Sequence, residues 1–91
     1  DVRLAAVGTP LATGFTVSVK SILDNVGVRG LVTADFVKAG GIAAAVFGTD
    51  NGDGTYTFTG AGMTTGTITL RATDLLTVKA YESVGLATIT I

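Results

Sequence analysis

Carboxylates are the one reactive side-chain type that this chain brings close together in sequence, in the run Asp50-Asn51-Gly52-Asp53-Gly54. With no histidine, no cysteine and a single glutamate, the chain offers no imidazole base, no thiolate and no sulfur-ligated metal. Paired carboxylates catalyse acid–base steps when one of them is desolvated and its pKa shifted, and a turn tip leaves both in water. Calcium is the other chemistry these residues suggest. Counting from Thr49, Asn51, Asp53 and Gly54 take the third, fifth and sixth places of an EF-hand-like loop, but the twelfth is Gly60, where a bidentate glutamate is required. The metal candidate is therefore Asp50, Asn51 and Asp53, completed by ligands from elsewhere in the fold or from a neighbouring subunit. The leading alternative for the same residues is a plain turn, since Asn, Asp and Gly are the residues turns select. Apart from calcium, no cofactor is expected.

As a turn, the run is the most legible local structure in the chain. Asn51-Gly52 and Asp53-Gly54 supply the positive φ values of tight hairpin turns, and Thr55-Tyr56-Thr57-Phe58-Thr59 follows in strict alternation. Tyr56 and Phe58 then share one face and the three threonines the other, as in an antiparallel sheet with one dry side.

The rest of the chain reads the same way. Thirteen glycines and abundant threonine interrupt short apolar stretches every eight to twelve residues or so, the spacing of a sandwich or barrel. Strands are expected at residues 2–7, 14–22, 42–47, 55–59, 67–73, 76–81 and 86–91. Thr33-Ala34-Asp35-Phe36 reads as a helical turn capped by Thr33 or as the lead-in to a strand, and the lead-in is favoured. The Ala43-Ala44-Ala45 run keeps a helix open within 42–47, against its flanking glycines. With no helix to cover a sheet, two sheets must cover each other. Phe15, Phe36, Phe47, Tyr56, Phe58 and Tyr81 are assigned to the core, with the two tyrosine hydroxyls at its rim, rather than to a sugar-stacking platform. Lys20, Arg29, Lys38, Arg71 and Lys79 are read as outward and solvated, some guarding strand edges.

Composition bounds the partners. Seven acidic and six basic residues are scattered singly for a net charge of −1, so no basic stripe exists to neutralise phosphates and nucleic-acid binding is not expected. A mean hydropathy of +0.59 with only 14% charged residues is apolar for a small free-standing domain, which points to a surface covered by a partner. No eighteen-residue apolar run and no basic-then-apolar leader is present, so neither direct membrane insertion nor a signal peptide is expected. A chain that starts at Asp1 without Met reads as a processed or excised product.

The order of these pieces resembles the bacterial immunoglobulin-like surface domains, including invasin-type and filamin-like repeats. The resemblance spans residues 14–73 or so. Its segments are Phe15-Thr16-Val17-Ser18-Val19-Lys20, the Asp24-Asn25 turn, Val28-Arg29-Gly30-Leu31-Val32-Thr33-Ala34-Asp35-Phe36, Asp50-Asn51-Gly52-Asp53-Gly54-Thr55-Tyr56-Thr57 and Gly66-Thr67-Ile68-Thr69-Leu70. It implies a single all-β domain over residues 1–91, an immunoglobulin-like β-sandwich of seven or eight antiparallel strands. It also implies a non-catalytic structural role outside the cell or at its surface, as an adhesin stalk domain or a subunit packed into a filament or pilus. The partners would then be other subunits or neighbouring domains, including a separate helical pilin-type subunit. The alternative is a carbohydrate- or calcium-binding accessory module. Residues 2–7 and 86–91 are the expected contact edges.

Overall fold

The computed structural model describes residues 2–21, 24–70 and 87–91. Seven strands and one short 3₁₀ turn, η1, form within them: β1 Val2–Leu11, β2 Gly14–Ser21, η1 Thr33–Asp35, β3 Phe36–Gly40, β4 Val46–Asp50, β5 Thr55–Thr59, β6 Gly66–Leu70 and β7 Ala87–Ile89. They assemble into a four-stranded sheet of order β1-β2-β5-β4 and a three-stranded sheet of order β3-β6-β7, with every pairing antiparallel. That split of strands is the constant-type immunoglobulin arrangement, in which the first, second, fifth and fourth strands face the third, sixth and seventh. The expected immunoglobulin-like β-sandwich is what forms.

Period-two alternation builds the core. Phe15, Val17 and Val19 of β2, Tyr56 and Phe58 of β5, and Ile68 and Leu70 of β6 are buried, while the residues between them are half-buried. Phe15 stacks on Phe58 with ring centroids 5.1 Å apart, and Phe36 meets Tyr56 and Phe58 edge-on at 5.3 and 5.2 Å across the sheets. Offset stacks and edge contacts are the favoured aromatic geometries, and they bind the two sheets at the centre.

Several expected boundaries move, each for a local reason. β1 continues past Val7 to Leu11 through an irregularity that includes Gly8 at φ 70, so the 8–10 segment bends the strand without ending it. The Asp35 N–H donates to the Val32 carbonyl at 2.9 Å and closes the helical turn over Thr33–Asp35, while the Asp35 carboxylate accepts the Val32 N–H at 2.7 Å, with no cap from Thr33. A strand does follow at once, β3, so both readings of that stretch hold in sequence. The strand expected at 42–47 begins only at Val46: residues 41–44 form a turn closed by Ala43 N–H to Gly40 C=O at 3.2 Å, and Ile42 is buried within it. The expected strand at 67–73 appears as β6, which begins one residue earlier, and that at 86–91 as β7, which ends at Ile89; residues 71–73 and 86, the strand expected at 76–81, and Ile22, Arg71, Lys79 and Tyr81 lie outside the described residues.

Lys38 corrects the reading of the cations. It sits directly opposite the buried Ile68 and so shares the inner face of its sheet, where its ammonium lies 5.7 Å from the centre of the Phe58 ring. A long aliphatic stem and a cation–π contact make that orientation tolerable. Lys20 and Arg29 are exposed as expected.

Candidate functional site

Asp50, Asn51 and Asp53 meet at the β4–β5 turn, and a bulge decides how. β4 pairs Phe47 with Phe58 and then Thr49 with Thr57, so Gly48 is an extra residue. It reverses the alternation beyond it, which puts Asp50 opposite the buried Tyr56, on the face that looks toward the second sheet. From there one Asp50 carboxylate oxygen accepts the Gly52 N–H at 2.9 Å and the other accepts the Gly30 N–H at 3.3 Å. Asp53 accepts both the N–H and the hydroxyl of Thr55, at 3.1 and 2.6 Å. The Asn51 amide nitrogen donates to the hydroxyls of Thr55 and Thr57, each at 3.1 Å, and Thr57 in turn lies 3.2 Å from the Thr16 hydroxyl.

These bonds set the electrostatics of the turn. The hydroxyl and N–H of Thr55 hold the Asp53 carboxyl below its ordinary range, with a smaller contribution from the positive charge of Lys20. The carboxylate oxygens thus face amide and hydroxyl donors. Among the described residues no three His, Cys, Asp or Glu side chains gather as a metal would need. A calcium ion on Asp50, Asn51 and Asp53 would have to take carboxylate oxygens from these donors and draw its remaining ligands from outside the loop.

The turn also fastens the connection between β2 and β3. Gly54 has φ 91, and a Cβ added there would stand 2.4 Å from the Gly27 Cα, while one on Gly27 would stand 2.1 Å from the Asp53 carbonyl oxygen. Both positions are therefore restricted to glycine by close backbone approach, and Gly54 by its φ as well. Val19 donates to the Gly54 carbonyl and Val28 to the Val19 carbonyl, each at 2.8 Å, so the end of β2 is held between the turn and the connection. Beneath them the Tyr56 hydroxyl donates to the Val28 carbonyl and accepts the Leu31 N–H at 3.3 Å. Tyr56 has no exposed surface, which corrects the expectation that its hydroxyl lies at the rim. Burial pushes its phenol above the ordinary range; the Leu31 N–H opposes that shift and the charges of Asp50 and Asp35 add to it.

The chain matches no family model, no curated protein and no solved structure. The assignment of the fold accordingly stands on strand order and register alone.

What the geometry performs is fastening: the Asp50 carboxylate and the Tyr56 phenol tie backbone groups of the 27–31 connection to the hairpin, and the Asp53 carboxylate closes the hairpin turn on itself. The inward alternation of Tyr56 was readable in the sequence. Its partners Val28 and Leu31, and the Gly27–Gly54 contact, were not, because residues far apart in the chain leave no shared local pattern. The one local signal was the excess of glycine on both sides, at Gly27, Gly30, Gly52 and Gly54.

Proposed function

We propose that this chain is a non-catalytic structural module of an extracellular bacterial protein, one unit of an extended stalk or filament whose neighbours are further domains or subunits. The carrying observation is polarity. Val2 pairs with Ser21 at the end of the sandwich that bears the 50–54 turn, whereas β7 runs toward the opposite end, where Ile89 pairs with Gly66 and the Ile91 N–H bonds the Thr65 hydroxyl at 3.1 Å. The chain enters one pole of a body measuring 34 × 23 × 20 Å and leaves the other, so neighbours attached before and after it extend the long axis. The bacterial surface assignment is supported by the wording of residues 14–73, and the non-catalytic one by carboxylates already engaged in closing a turn.

Load on such a stalk acts along the strands. β1 and β7 run alongside each other in the same direction, and tension at the two poles shears them past their neighbours. Single-molecule pulling tests this. Stretching through the termini is expected to give a discrete unfolding peak at clearly higher force than stretching through cysteine handles at Ala5 and Val37, exposed residues of the two different sheets. Equal forces in the two directions, or extension with no peak, would count against a load-bearing role.

A further inference from the structure

The outer face of the four-stranded sheet is uncharged over three successive rows. Register and alternation place Leu11, Gly14, Thr59 and Val46 in one row, Val7, Thr16, Thr57 and Thr49 in the next, and Ala5, Ser18 and Thr55 in the third. Of the five hydroxyls that β2 and β5 present on this face, four are engaged within the chain, that of Thr59 being the exception among the described residues. Thr16 bonds Thr57, Ser18 donates to the Ala5 carbonyl at 3.4 Å, and Thr55 and Thr57 accept from Asn51. The rows are flanked by Leu11 at 59% and Val46 at 62% exposure on the two edge strands.

We propose that this face binds a second copy of the chain, through a two-fold axis parallel to the strands and passing between β2 and β5. That axis sets β1 over β4 of the partner copy and β2 over β5. Leu11 and Val46 occupy the same row on opposite edges, so each covers the other across the interface, twice. The charges obey the same symmetry. Arg3 and Lys20 sit opposite each other on β1 and β2, and Asp53, whose carboxylate bonds the outward Thr55, lies at the same end in the turn between β4 and β5. Arg3 and Lys20 of one copy therefore face Asp53 of the other. A two-fold axis across the strands would lay the Leu11 row toward the Arg3 row instead. An identical sheet also has the matching twist that aligned sheet packing requires.

Four strands about 4.8 Å apart and six or so residues long give a footprint of roughly 400 Å², below the ~800 Å² per partner of a standard stable interface. Pairing is accordingly weak and is looked for at concentrations approaching millimolar. It does not depend on the stalk reading, because the pulling experiment reads one copy at a time and the following one reads mass.

Sedimentation equilibrium of the full chain is expected to give 9.1 kDa when dilute and to rise toward twice that value near millimolar concentration. Leu11→Asp and Val46→Lys are each expected to abolish the rise, while an equimolar mixture restores it, since one mixed pair keeps a native Leu11–Val46 contact and gains an opposite-charge one. Amide chemical-shift changes on dilution of the unaltered protein supply a second readout, expected on β1, β2, β5 and β4 at the outward positions. A constant 9.1 kDa at about 1 mM overturns the proposal. So does association that survives both substitutions, fails to return on mixing, or shifts amides of the other sheet instead.

Discussion

Tyr56 shows how much of this fold depends on single polar atoms. Its hydroxyl is the buried partner of a carbonyl and an amide on a connection with no regular structure of its own. Tyr56→Phe leaves the ring packing in place and both backbone groups short of a partner, for an expected loss of about 1–3 kcal/mol in urea unfolding. The pH dependence has a definite sign. The folded state raises the phenol pKa, so the stability tied to its protonated form is complete below the ordinary tyrosine value of about 10 and is lost as pH rises through the folded value. The phenylalanine variant is expected to lose less stability between neutral and strongly alkaline pH. Asp53 works in the opposite direction: its lowered pKa favours the fold above the ordinary carboxylate range and fades on acidification. Thr55→Val removes the largest cause, and NMR titration of the Asp53 carboxyl is expected to show its midpoint moving up toward the ordinary value.

At the scale of elements, the β4–β5 hairpin separates glycines required by shape from one required by backbone angle. Gly52 has φ 83 but nothing within 4 Å of an added Cβ, whereas Gly54 combines φ 91 with the Gly27 backbone at 2.4 Å. Thermal unfolding is expected to show Gly52→Ala costing about 1 kcal/mol and Gly54→Val several times that, enough to threaten folding of so small a domain. This hairpin was also the part of the fold most legible in the sequence, because Asn-Gly, Asp-Gly and alternation all act within ten residues. β3 was the least legible. Its inner face carries Phe36 and Lys38, so a lysine stands where a hydrophobic residue would complete the alternation, and the following Gly40-Gly41 reads equally well as the start of the next strand. β4 was displaced for a related reason: the 41–44 turn uses alanines, which advertise a helix or nothing. Of the candidate site, Asp50, Asn51 and Asp53 were found together, but the outcome of their chemistry hinged on the Gly48 bulge, one residue whose effect on facing is invisible without the partner strand.

For the molecule as a whole, charge is distributed unevenly between its surfaces. The outer face of the β1-β2-β5-β4 sheet carries none across three rows, while β3, an edge among the described strands, directs Lys38 inward. An inward charge on an edge strand impedes the pairing of another strand beside it, because the newcomer must bury or displace that charge. Lys38→Ile is expected to keep the fold and to speed aggregation on heating, measured by light scattering against the parent chain; an unchanged rate would deny Lys38 that role.

The separation of the two poles also governs how such a body can be combined with others. Domains whose ends lie side by side can be spliced into a surface loop of another protein or cut and rejoined into a new order. Here a bridge between Val2 and Ile91 must travel up to the 34 Å length of the sandwich, which takes roughly ten residues of fully extended chain. Grafting residues 2–91 into a host loop would therefore wedge that loop apart unless linkers of that reach were added, whereas copies joined end to end would lie pole to pole.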